Sequence, residues 1–175
     1  MKTEVCKLPY EIKKLCENPE YTEAFYAMQK EYLPDTDTEQ CKKYFALYKE
    51  VYLICCKNKE LVGICYGWPR AEEDPADTSF TLQGICIKWD EAAKGLGSKL
   101  LRAFEETAEK LGYRTVGVGS APGYVEHFYM KNGYTPVCYK EFDEAGNGHV
   151  TPLPTREAYE NLKRSNYGFV VLEKR

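Results

Sequence analysis

An α+β fold, in which helices cover both faces of a mixed and mostly antiparallel sheet holding one parallel strand pair, is what this sequence predicts. Three observations lead there. Helical and strand-like periodicities alternate along the chain instead of separating into halves. Two β-rich runs, "FTLQGICI" and "YRTVGVGS", flank one long amphipathic stretch, "SKLLRAFEETAEKLG", and such a crossover is what a parallel pair needs. The 175 residues, 43% apolar and 29% charged, suit a single domain over 1–175 that buries roughly 70% of its unfolded surface.

The elements follow in order. Asn18-Pro19 reads as an N-cap with proline at the first helical position, and Tyr21, Phe25, Met28 and Tyr32 continue at helical spacing. Pro34 ends that helix. Thr36 or Asp37 then opens a second one marked by Cys41, Phe45 and Tyr48, an aromatic stripe that core packing explains. "VYLICC" and "LVGICYGW", joined at Lys57-Asn58-Lys59, predict an antiparallel hairpin. "PRAEEDPADTS" has prolines, acidic residues and no apolar period, so it is a loop before the strand "FTLQGICI". Leu100, Leu101, Phe104, Ala108 and Leu111 mark the strongest helix, closed by Gly112. "YRTVGVGS" alternates as a strand, "GYVEHFYMKNG" is a short helix ended by Gly133, and "YTPVCYKEF" and "YGFVVLEK" are the last strands. Between those two, "DEAGNGHVTPLPTREAYENLKRSN" is longer than a hairpin requires.

Charge and cysteine usage exclude several functions. A net charge of -3 argues against nucleic acid as a partner, and no apolar run has the length of a signal peptide or a membrane span, so a cytoplasmic protein without a membrane partner is expected. Cys55, Cys65 and Cys86 sit in apolar strand-like runs and read as reduced core thiols, although sequence leaves a cysteine nucleophile open. No metal is expected. No cysteine pair has C-x-x-C spacing, and His127 and His149 stand far from the cysteines.

"WDEAAKGLGSKLL" places two glycines two apart where strand gives way to helix. A glycine turn there lets backbone N–H groups converge, and the helix N-terminus adds about half a positive charge, so an anion such as phosphate is favoured. Alone the signal is weak, because such glycines also serve turns and close packing. No G-K-[ST] follows, and Lys99-Leu100 replace the third glycine of a dinucleotide fingerprint.

The succession of strand "LQGICI", loop "KWDEA", turn "AKGLGS", amphipathic helix, strand "TVGVGS" and "HFYMKNGYTPV" resembles the Gcn5-related N-acetyltransferase (GNAT) family from about Phe80 to Cys138. The resemblance implies the acyl-CoA N-acyltransferase fold, whose central parallel strands splay apart, and acetyl-CoA as cosubstrate. The family's phosphate pattern Q/R-x-x-G-x-G/A falls on Ala92, Ala93, Lys94, Gly95, Leu96 and Gly97, with alanine in place of the first polar residue. Ser98 and Lys94 supply a hydroxyl and a charge beside the expected phosphates. By the same resemblance, backbone at Ile85, Cys86 and Ile87 would grip the acetyl and pantetheine groups as an added strand; a plainly buried strand explains these residues equally. Tyr129 in "EHFYMKNGY" matches the tyrosine with which many relatives protonate the leaving thiolate, a role suited to a phenol with pKa near 10. Packing is the competing explanation, since Tyr129 shares a helical face with Val125 and the chain holds 15 tyrosines. Two further positions depart from the family. Gln83 stands where relatives often have a glutamate base, and Pro122 where an asparagine is common.

The function implied is acetyl transfer from acetyl-CoA to a primary amine by direct attack. The acceptor side of the family corresponds here to "YLPDTDTEQ" and "PRAEEDPADTS", whose Asp35, Asp37, Glu73 and Asp74 suit a small cationic amine, although solvated loops are commonly acidic too. Three alternatives stay open: an acyl-CoA-binding or sensing module without catalysis, a protein N-terminal or lysine acetyltransferase, and an unrelated α/β binding protein. A homodimer is also left open.

Overall fold

The computed structural model describes residues 9–71, 74, 76–120 and 124–175. Helices α1 (Thr22–Tyr32), α2 (Thr38–Tyr48), α3 (Leu96–Lys110), α4 (Tyr124–Lys131) and α5 (Arg156–Glu160) alternate with strands β1 (Tyr10–Lys14), β2 (Leu53–Lys57), β3 (Glu60–Pro69), β4 (Ser79–Ile87), β5 (Thr115–Ser120), β6 (Thr135–Phe142), β7 (Gly148–Pro152) and β8 (Phe169–Lys174). The chain forms two compact units, one made of residues up to Trp68 plus Gln83–Leu111, the other of Pro69–Leu82 plus Gly112–Arg175. Strand β4 contributes its first four residues to the second unit and the rest to the first.

The first unit carries the hairpin that its sequence predicts. β2 and β3 pair antiparallel, turning at Asn58 and Lys59, whose φ values of 49° and 67° are those of a type I′ turn. β1 pairs antiparallel with β2 on the other side. No strand was expected at 10–14, because Tyr-Glu-Ile-Lys-Lys holds one aliphatic residue; its pairing with β2 supplies what periodicity does not. Pro19 opens a 3-10 turn that leads into α1, and Asp37 caps α2 by accepting from the Gln40 amide at 3.1 Å. Phe25 of α1 packs on Tyr52 and Tyr66, while α3 packs against β2 through Leu100, Leu101 and Phe104, all fully buried. Helices therefore take both faces of these strands.

The second unit contains the parallel pair. β4 and β5 run parallel through Ser79↔Thr115, Phe80↔Val116 and Thr81↔Gly117. β8 lies antiparallel between β5 and β6, and β7 forms a hairpin with β6. The 143–166 insert thus begins as sheet: the Asp143 carboxylate caps the tight turn by accepting from the amides of Ala145 and Asn147, at 3.0 and 2.8 Å. Its core gathers Phe80, Val116, Val118, Tyr129, Tyr139, Val170 and Leu172.

Candidate active site

In the first unit, β4 ends in Ile85, Cys86 and Ile87, all half-buried, and Lys88 donates its amide to the Val62 carbonyl at 2.9 Å, continuing the alignment with β3. The side chain that Gly84 lacks would sit 2.7 Å from the Tyr66 hydroxyl, so the phenol of β3 lies directly against the β4 backbone. Gln83 is exposed. As an amide it takes up no proton, so β4 offers no base at that position.

After β4 the chain makes a 3-10 turn, Trp89–Glu91, and then enters the turn that the sequence singles out. Gly95 adopts φ +75° and caps α3, and nothing lies within 4 Å of the position its Cβ would take. Glycine is needed here for its backbone conformation and not for want of space. Ala93 shares the left-handed region at φ 59°, which for a residue with a side chain costs about 1–2 kcal/mol. Gly97 lies inside α3 instead of in the turn proper. The first helical bond runs from the Lys99 amide to the Gly95 carbonyl, so the amides of Leu96, Gly97 and Ser98 have no acceptor within the helix. No acidic residue stands in the first turn of α3. These amides, the αL cap and the open space above it fit a phosphate group.

Lys94 is directed elsewhere than the sequence suggests. Its ammonium donates to the Glu91 carboxylate at 2.9 Å, and the same carboxylate accepts from Lys57 of β2 at 2.8 Å and from the Tyr10 hydroxyl of β1 at 2.6 Å. These three donors, Lys57 foremost, hold the Glu91 carboxyl at about 2, well below its ordinary 4.5. The turn is thereby tied to two strands through one buried carboxylate. No sequence pattern marks Glu91, since Tyr10 and Lys57 lie 81 and 34 residues away.

The cysteine nucleophile is disfavoured by burial. Desolvation pushes the Cys86 thiol up to about 12 and Cys55 up to about 11, and Cys65 is raised well above the ordinary range, whereas a nucleophile must be a thiolate. Among the described residues no group of three or more His, Cys, Asp or Glu could hold a metal ion, and no helix is long and apolar enough to cross a membrane.

Tyr129 belongs to the second unit. It lies on α4 with 4% of its surface exposed, meeting Phe128 and Tyr134 edge to face at 5.2 and 5.6 Å. Its carbonyl accepts from the amides of Asn132 and Tyr134 as the helix closes, at 2.9 and 3.1 Å. One turn earlier, Glu126 is 1% exposed and receives the Arg164 guanidinium and the Tyr159 hydroxyl from the insert. Two of the acidic residues expected to meet substrate also have local partners: Asp37 caps α2, and Asp74 accepts from the Ala76 amide at 2.9 Å. Glu73 and Pro122 lie outside the described residues.

Comparison with known proteins adds the following. A family model described as acetyltransferase (GNAT) domain matches residues 48–136. The tRNA(Met) cytidine acetyltransferase TmcA of Thermofilum pendens is 38% identical over 72 residues, which are 41% of this chain and only 9% of that relative. Among solved structures, Arabidopsis thaliana Naa50 in complex with the bisubstrate analogue CoA-Ac-MVNAL superposes with a TM-score of 0.68 at 13% identity, covering 96% of this chain and 99% of that one. The polyamine N-acetyltransferase of Drosophila melanogaster, which catalyses formation of N-acetylagmatine, gives a TM-score of 0.67 at 10% identity over 94% and 99% of the two chains.

Proposed function

Because the chain belongs to the acetyltransferase (GNAT) family, we propose that it transfers the acetyl group of acetyl-CoA to the amine of a small cationic acceptor by direct attack, the whole of 1–175 acting as one acetyltransferase domain. The observation that carries this reading is the turn from Ala92 to Ser98, where an αL glycine presents three unbonded helix amides beside a locked carboxylate. Acetyl-CoA, when bound, supplies an activated thioester. The chain's own residues do the rest. The amides of Leu96, Gly97 and Ser98 bind pyrophosphate, and the Ser98 hydroxyl stands beside them. Ala92 and Ala93 let the backbone approach, while Lys94 acts through Glu91 by fixing the turn. Ile85, Cys86 and Ile87 orient the pantetheine arm through their backbone, and Tyr129 holds the proton that the departing thiolate takes.

A cationic acceptor is supported by the acidic stretches around Asp35 and Asp74, and the Drosophila neighbour that forms N-acetylagmatine shares the fold. A second reading, an acyl-CoA-binding module without catalysis, is favoured by Gln83 in place of a carboxylate base. Thiol release from acetyl-CoA, measured with agmatine, spermidine, kanamycin and a Met-Val peptide, separates the readings. Turnover that is highest for the polycations and falls with added salt is expected. A protein that melts at a higher temperature with CoA but releases no thiol with any of these amines is the binding module instead.

A further inference from the structure

The insert between β7 and β8 is anchored at two points. Towards α4, the Arg164 guanidinium forks onto both oxygens of Glu126, one of them at 2.8 Å, and the Tyr159 hydroxyl donates to the same carboxylate at 2.6 Å. Arg164 also lies over the Tyr159 ring, 5.7 Å from its centre. Towards β6, the Ser165 amide donates to the Tyr139 hydroxyl at 2.7 Å. Gly168 is pressed so tightly on that phenol that a Cβ would lie 1.9 Å from its oxygen, so a side chain at 168 would force the Tyr139 ring to move. Between these anchors the segment is ordered by α5, whose cap Thr155 accepts from the Ala158 amide at 3.1 Å.

We propose that residues 155–168 form a strap that sets the rotation of α4, and hence the placement of the Tyr129 hydroxyl, with Glu126 as the positioning residue; this rests on Tyr129 serving as the acid. α4 has eight residues, too few to be held by its own hydrogen bonds, so its orientation must come from tertiary contacts. Glu126 and Tyr129 are three apart and therefore neighbours on the helix surface. A buried carboxylate that loses its partners is strongly unfavourable, and a two-pronged guanidinium fixes the carboxylate plane as a lone ammonium does not. Rotating α4 would break the fork. A buried ion pair adds little net stability compared with apolar side chains of the same size, so its best attested use is to specify one geometry. Here that geometry is written one turn from the candidate acid.

Arg164→Lys keeps the charge and removes the fork. With the most active amine of the panel, kcat is expected to fall about tenfold, as for a modest misplacement of a reacting group, while KM for acetyl-CoA stays within about twofold because the phosphate turn is untouched. In a Tyr129→Phe background the same substitution is expected to cost nothing further. Wild-type kcat in Arg164→Lys, or an equal additional loss in the Tyr129→Phe background, overturns the proposal. Glu126→Leu combined with Arg164→Met removes both charges without stranding either, and is expected to stay folded by melting temperature yet show the same loss; a folded and fully active double variant overturns it too. Hydrogen exchange tests the strap apart from chemistry: faster exchange of α4 amides in Arg164→Lys is expected, and unchanged exchange sinks the strap. Wild-type turnover in Tyr129→Phe alone would instead sink the general-acid reading, leaving the exchange result to judge the strap.

Discussion

Two single side-chain changes test the two halves of the proposed site separately. Tyr129→Phe deletes one hydroxyl from a ring packed against Phe128 and Tyr134 and leaves the packing in place. CoA affinity by calorimetry should be unchanged and kcat should fall by about 10²-fold, the range of lost general acid catalysis. An unchanged kcat across pH would take Tyr129 out of the mechanism. Gly97→Glu acts on the other half of the chemistry. Position 97 is the second residue of α3, where a carboxylate suits the helix dipole, so the fold should persist while the anion site is filled by negative charge. Loss of CoA binding with an intact circular dichroism spectrum is the expected result. Both proposed roles are read from a local pattern in the sequence. Glu91 and Glu126 were not legible there, because, Lys94 apart, their partners lie 33 to 81 residues away, and no local spacing encodes a pairing that only the fold creates.

Elements were legible wherever their signals are local. Pro19, Asp37, Gly112 and Gly133 stand at helix ends in the structure as their chemistry requires, with Gly112 and Gly133 at φ +95° and +89°. The strands missed, β1 and β7, are both edges: β7 is exposed along its whole length and has no apolar alternation to betray it. An edge strand answers to its partner's backbone more than to its own side chains. The β2–β3 hairpin shows the opposite case, a turn whose geometry is right but whose residues resist it. Lys59 holds φ +67°, a region costly for lysine and free for glycine, and Tyr21 bonds the carbonyl of residue 59, which glycine retains. Lys59→Gly should therefore raise stability by about 0.5–1 kcal/mol, seen as a shift of the urea midpoint at constant m-value. A lower midpoint would show that the extra freedom of glycine in the unfolded chain outweighs the relief of strain.

For the molecule as a whole, acidity is the condition under which the charge design becomes visible. Glu91, held at about 2 against an ordinary 4.5, gains its partners only as an anion, and Glu126 is lowered too because Arg164 and Tyr159 outweigh the upward pull of burial. A depressed carboxyl contributes stability that is complete above its unfolded value and is lost as pH falls through its folded one. For Glu91 that window runs from about 4.5 down to about 2. Melting temperature should therefore drop through this range in the wild type and drop less in Glu91→Gln, whose amide has nothing to titrate; parallel curves would remove Glu91 as a source of acid sensitivity. The seven described cysteines carry a further consequence. All are free, and burial raises every one of their thiols above its ordinary value. A colour reagent that counts CoA in the assay should therefore react least with the buried Cys41, Cys55, Cys56 and Cys65 while the first unit stays closed. Left with the enzyme alone, the same reagent becomes a stopwatch: the slow appearance of colour from Cys55 and Cys65 reports how often the first unit opens, and a variant that loosens that unit should make the clock run faster.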